Sequence, residues 1–180
     1  MDSNEVVSVF QNDSLGSDDA VGIADKIKKG ELSASLVTQD AIERAKAVNP
    51  KLNAITVENF DLARTNSEKP FSGFFQGVPT FIKDTDEVPG LPLYLGSRSL
   101  PGEPSDKYSK AAKQIIDTGL NCLGTTTTPE FGLTGTTESL RFGATCNPWN
   151  TAYSTGGSSG GSSALVCLLY TSDAADDSGC

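Results

Sequence analysis

The sequence predicts an α/β fold in which helices cover a parallel or mixed sheet. Three observations lead there. Stretches with apolar residues at helical spacing alternate with short apolar runs of strand length. Glycine and proline gather between those stretches, where they mark turns and loops. The chain has 180 residues, 37% hydrophobic and 21% charged, enough for one ordinary domain with a core.

The elements follow in order. Residues 1–16 are polar and read as frayed, giving a flexible N-terminus over 1–17. A first helix is expected over 18–29, with Ser17 as its cap, Val21, Ala24 and Ile27 on one face, and Gly30 as its stop. A second spans 35–48. Ser33 is its cap, Leu36, Val37, Ala41, Ala45 and Val48 form its apolar face, and Asn49-Pro50 ends it. Residues 52–57 read as a strand and 59–66 as a short helix. Residues 77–82 (GVPTFI) read as a buried strand, with Lys83 at its carboxyl end. The Gly- and Pro-rich stretch 89–104 is a loop. A helix is expected over 105–118 with Tyr108, Ala112, Ile115 and Ile116 inward and Gly119 as its stop, then a strand over 120–123. Residues 125–150 are polar without a clean period, the pattern of a segment that lines a site rather than packs a core.

Charge and residue usage narrow the functions. Acidic side chains outnumber basic ones 23 to 14, for a net charge of −9, which argues against nucleic acid or an anionic membrane as partner. No apolar run reaches the ~18 residues of a membrane span, and the N-terminus lacks a secretory pattern, so a cytoplasmic protein is expected. The chain contains no histidine. Ser-His-Asp and Cys-His catalysis are therefore excluded within it, as are histidine metal sites. A general base must be Lys, Asp, Glu or Tyr. Cys122, Cys146, Cys167 and Cys180 are not at metal-ligand spacing and read as free thiols.

Two segments could carry chemistry. Lys83 sits where open α/β sheets place reactive groups, and it could act as a base if burial lowered its pKa from about 10.4. The same residue also fits an ordinary strand-end lysine paired with Asp84. The second segment is Thr155-Gly156-Gly157-Ser158-Ser159-Gly160-Gly161-Ser162-Ser163, leading into Ala164-Leu165-Val166. It fits a flexible linker, a backbone nest for an anion at a helix start, or a loop presenting serine hydroxyls.

Four stretches together resemble the amidase signature family: 77–84 (GVPTFIKD), 127–132 (TTPEFG), 142–150 (FGATCNPWN) and 156–166 (GGSSGGSSALV). Their order and spacing also match, and the resemblance covers residues 18–166. It implies a mixed sheet between helical layers, of which this chain is an incomplete N-terminal part. It also implies a Ser-Ser-Lys triad in place of histidine chemistry. Lys83 matches the family's base, and Ser158 matches the serine that follows a cis peptide and relays protons. Gly156 and Gly157 match substrate-side positions, and Thr137 and Glu138 match a segment bordering the substrate. At Gly124-Thr125-Thr126-Thr127 the family often has a lysine and an asparagine after the glycine, a change that reads as peripheral.

The resemblance stops early. The family's nucleophilic serine lies about two dozen residues beyond the relay serine, in a Gly-Gly-Ser turn that also forms the oxyanion hole. Only 22 residues follow Ser158, and none fits that turn. Residues 167–177 instead resemble a translated sequencing adapter, so 167–180 reads as a non-native tail. The implied function is a truncated amidase, inactive as it stands. Its parent would cleave the carbon–nitrogen bond of a small-molecule amide without metal or organic cofactor. Two other readings remain: the glutamine-hydrolysing subunit of a tRNA-dependent amidotransferase, and a noncatalytic module that binds an anion or carbonyl. The residues Pro129-Glu130-Phe131 lean towards general amidases. Oligomeric state and substrate are not legible.

Overall fold

A computed structural model describes residues 5–9 and 12–169. The chain runs α1 (Ala20–Lys28), α2 (Ala34–Leu52), β1 (Ile55–Glu58), α3 (Phe60–Ser67), β2 (Pro79–Lys83), α4 (Lys110–Asp117) and β3 (Asn121–Thr126). Short pairs β4 (Glu138–Ser139) with β5 (Gly143–Ala144), and β6 (Cys146–Asn147) with β7 (Asn150–Ser154), precede α5 (Gly160–Leu169). The main sheet has the order β1-β3-β2. β3 runs antiparallel to β1 and parallel to β2, so the sheet is mixed. The adapter-like tail lies, from residue 170 on, outside the described residues.

The side chains of successive strand residues alternate between faces, and this divides the core in two. Ile55 and Leu123, with Phe81, face a large cluster built from α1, α2, α3 and α5. Ile82 and Cys122, with Val57, face a smaller cluster with Val88, Leu91 and Ala112 of α4. The sheet therefore lies between helical layers. The register slips by one residue in β3 between Cys122 and Thr125, at Gly124, whose φ of +147° no other residue adopts readily. Among the described residues, no helix is long and apolar enough to cross a membrane.

Several elements differ from expectation. The cap of α1 is Asp19 rather than Ser17, because its carboxylate accepts from Gly22 N–H at 2.7 Å. Helix α2 runs past Asn49-Pro50 to Leu52. Proline in the last turn removes only one helical hydrogen bond, and Asn53, in a left-handed conformation, closes the end. Helix α4 begins at Lys110, capped by Ser109, rather than at 105. Ser105 is held in an extended bridge to Pro89 instead. Tyr108 and Ile115 are consequently exposed, while Ala112 is buried and Ile116 packs on the smaller cluster. Strand β3 extends to Thr126, so the first threonines of the polar segment belong to the sheet.

The described part of residues 5–17 is not frayed. Val7, Val9 and Leu15 join the large cluster, because polar neighbours carry the hydrogen bonds that let them dock. Val7 N–H donates to Pro148 O, and Ser14 N–H to Asp40. Arg44, 2% exposed on its side chain, grips the Asp13 carboxylate through Nε at 2.7 Å and Nη2 at 2.5 Å. Burial pushes the Asp13 carboxyl up. Arg44 and the amides of Gly16 and Leu15 outweigh that and hold it below its usual 3.8.

Removing one partner of such a pair strands the other charge. Arg44→Ala is therefore expected to lower unfolding free energy by about 3 kcal/mol at pH 7, as read by urea titration. The depressed carboxyl stabilises the fold above pH 3.8 and loses that contribution as pH falls through its folded value, so the gap between variant and parent should narrow in acid.

Candidate active site

Strand alternation also sets the site. Lys83 follows Ile82, so its side chain leaves the sheet on the face opposite the smaller cluster, and Asp84, the next residue, is turned away from it towards the loop that follows β2. The two do not pair. Lys83 Nζ donates to Ser158 Oγ at 2.7 Å. Burial lowers the lysine pKa from 10.5, against the opposing pull of the Asp86 carboxylate. A lysine whose charge is disfavoured, beside a hydroxyl, can exchange a proton with it.

Asp84 is fully buried. It accepts from Tyr94 N–H at 3.1 Å and Gly96 N–H at 3.3 Å, anchoring the loop that follows β2. Burial raises its carboxyl from 3.8 to about 6, although those amides and Arg141 favour the charged form. Arg141 ties the same loop to the 139–142 region, donating to Ser97 O and Leu100 O and stacking 3.9 Å from the Tyr94 ring.

Ser158 lies between β7 and α5, after a cis peptide bond at Gly157–Ser158. The segment around it is packed rather than a free linker. A Cβ on Gly160 would stand 2.3 Å from the hydroxyls of Thr137 and Thr155, and one on Gly161 2.5 Å from Thr127 N and Ala54 O. Only glycine lets the start of α5 lie this close to β3 and to the chain before it. Gly161 N–H donates to Thr127 O, and Thr126 and Ser162 share a hydroxyl hydrogen bond of 2.7 Å.

The remaining candidate residues fall as follows. Gly156 has a φ of +78° and its carbonyl accepts from Thr137 Oγ1 at 2.8 Å. Gly157 packs against 134–136, where a Cβ would meet Thr134 O at 2.9 Å. Thr137 is buried, and Glu138 is exposed on β4, paired with Ala144, with no hydrogen bond to Lys83 or Ser158. Two residues of the polar segment lie beside Ser158. Thr128 Oγ1 donates to Ser158 O at 3.0 Å, and a Cβ on Gly132 would lie 3.9 Å from Ser158 Oγ. Sequence reasoning misses Thr128, since it is one of four consecutive threonines and nothing in the pattern separates it from the others. At the Thr125–Thr127 departure all three residues are buried, in β3 or just beyond it. Thr127 bonds Thr145 Oγ1 at 2.6 Å, whereas the Thr125 hydroxyl has no partner among the described residues. A separate cleft of about 470 Å³ opens at the other end of β3, between α3 and α4, and includes neither Lys83 nor Ser158.

Comparison with known proteins identifies the family and the fold. The amidase family model matches residues 36–172. AmiC of Mycobacterium leprae, a protein named as an amidase, is 42% identical over 160 residues, which is 89% of this chain and 34% of that protein. A glutamyl-tRNA(Gln) amidotransferase subunit from Prochlorococcus marinus is 34% identical over 86% of this chain and 34% of its own length. The substrate complex of 6-aminohexanoate cyclic dimer hydrolase superposes with a TM-score of 0.81 at 37% identity, covering 87% of this chain and 33% of that one. The chain thus spans about a third of the relatives it matches.

The buried Asp84 makes a pH signature. Its folded pKa of about 6 lies above its unfolded 3.8, so the folded chain holds this proton more tightly. The contribution is complete below 3.8 and is lost as pH rises through about 6. In Asp84→Asn this component of the stability profile is expected to vanish, as followed by urea midpoints across the window. An identical slope in the variant would assign it to another group.

Proposed function

The chain belongs to the amidase signature family, and on that premise we propose that it supplies the lysine base and relay serine of a Ser-Ser-Lys amidase. The observation that carries this reading is the 2.7 Å contact from Lys83 Nζ to Ser158 Oγ, made by a lysine whose charge burial disfavours. In the complete enzyme, neutral Lys83 takes the Ser158 proton while Ser158 takes the proton of a serine supplied beyond this chain. That serine forms the carbon–oxygen bond to the amide carbonyl. The carbon–nitrogen bond then breaks, the relay returns a proton to the departing amine, and water hydrolyses the acyl-enzyme. No metal or organic cofactor enters these steps. The substrate is a small-molecule amide, and neither nucleic acid nor membrane is a partner of this part.

A second reading, the glutamine-hydrolysing component of a tRNA-dependent amidotransferase, is favoured by the 34% identity to the Prochlorococcus marinus protein. The Pro129-Glu130-Phe131 sequence and the higher identity to AmiC favour the general amidase. Glutamine tested beside aryl and short aliphatic amides separates the two. A noncatalytic module would turn over none of them.

In the complete enzyme, Lys83→Ala is expected to remove most turnover, and Lys83→Arg to do little better because arginine keeps its proton. Ser158→Ala should lower kcat far more than it weakens binding. The acid limb of the rate profile should follow Lys83, with activity rising as pH passes its lowered pKa. Near-normal hydrolysis by either Lys83 variant would end the assignment.

The 180-residue polypeptide by itself is expected to give no hydrolysis above background on the same amides. Its main sheet has β1 and β2 as open edges, and Leu133, Leu140 and Trp149 are well exposed. Aggregation on expression is therefore also expected, checked by light scattering. A monomeric, hydrolytic short form would overturn this expectation.

A further inference from the structure

We infer that Thr128 and Thr137 are positioning residues that clamp the Ser158 loop from both sides, and that the relay depends on them; the inference rests on the proposed role of Ser158. The loop must hold one hydroxyl against Lys83, yet it is rich in glycine, whose backbone has little stiffness of its own. Its polar backbone atoms show what holds it. Thr128 Oγ1 donates to the carbonyl of Ser158 itself at 3.0 Å. Thr137 Oγ1 donates to Gly156 O at 2.8 Å and accepts from Gly160 N–H at 3.1 Å. The clamp thus fixes the residue two before Ser158, Ser158, and the residue two after it.

Both threonines are 1% exposed, so their hydroxyls serve the loop rather than solvent. Each is anchored by a different element. Thr128 closely follows β3, whose Thr126 pairs with Lys83 across the sheet. Thr137 precedes β4, and its own carbonyl accepts from Thr145 N–H. The frame that carries the lysine therefore also holds the Ser158 carbonyl, and the 2.7 Å separation is set by one short path through β2, β3 and Thr128. This gives Thr137 a supporting task at the loop.

The test uses the complete enzyme and an anilide substrate. Thr128→Val keeps shape and removes the hydroxyl, and is expected to lower kcat about 10- to 100-fold with KM within about 3-fold, the size of effect small misplacements produce. Thr128→Ser, which keeps the hydroxyl, should recover to within about 3-fold of the parent. Thr137→Val should resemble Thr128→Val. The deciding readout is the double variant. In a Ser158→Ala background, Thr128→Val should add less than about 2-fold, because it acts through Ser158. Melting temperatures are recorded throughout, and if the valine variant does not fold, Thr128→Ala enters the same cycle. Unchanged kcat in a folded Thr128 variant, or an equal loss in the Ser158→Ala background, overturns the clamp. Near-parental activity in Ser158→Ala overturns the relay reading itself, whereas the cycle is read on the small residual rate that variant keeps.

Discussion

The alternation of side chains at the end of β2 is the constraint on which the rest of the structure depends. Phe81 and Lys83 share one face of the strand, and Ile82 and Asp84 the other. Two adjacent charged residues are thereby separated into different environments. Lys83 meets Ser158 beside α5, and Asp84 is enclosed under the loop that follows β2. A one-residue slip of register would exchange them, placing a carboxylate against the serine and a cation against two amide N–H groups. The parallel pairing of β2 with β3 prevents that slip, with Lys83 opposite Thr126.

Burial acts on the two groups in the same sense and with opposite chemical results. It disfavours the charged form of both, lowering the lysine and raising the carboxyl. For Lys83 this brings a base closer to its neutral form. For Asp84 it is a cost, offset in part by the Tyr94 and Gly96 amides that the carboxylate organises. The loop so held approaches the 128–132 turn, where Phe131 N–H donates to Leu95 O at 2.7 Å. The aspartate thus links the layer under the sheet to the rim around Ser158.

The Gly/Ser segment illustrates how composition misleads. Glycine-rich stretches are compliant when solvated, but at Gly157, Gly160 and Gly161 the missing Cβ is one that would strike a neighbour. Close backbone approach then lets threonine hydroxyls reach carbonyls and amides that would otherwise need water. The N-terminal residues follow the same logic at another surface. Their polar appearance hides Val7, Val9 and Leu15, whose docking is made possible by Arg44, Asp40 and Pro148.

By itself the sequence determined the α/β class, the order of helices and strands, and the meeting of GVPTFIKD with GGSSGGSS in one family pattern. Those features are written in local periodicity and in residue usage that few other sites share, such as the absence of histidine. It also placed the centres of α1, α2, α3 and β2 within a few residues. It misjudged where elements end, because ends are set by partners. Pro50 is tolerated in the last turn and the helix closes at Asn53 instead, and Ser105 lies outside α4 in a bridge to Pro89. The tertiary structure alone decided that Lys83 bonds Ser158 rather than Asp84, that Arg44 holds Asp13, and that Thr128 rather than its neighbours reaches the Ser158 carbonyl. Each of those pairs joins distant parts of the chain or turns on which face a side chain takes, and no period in a single sequence encodes such distances.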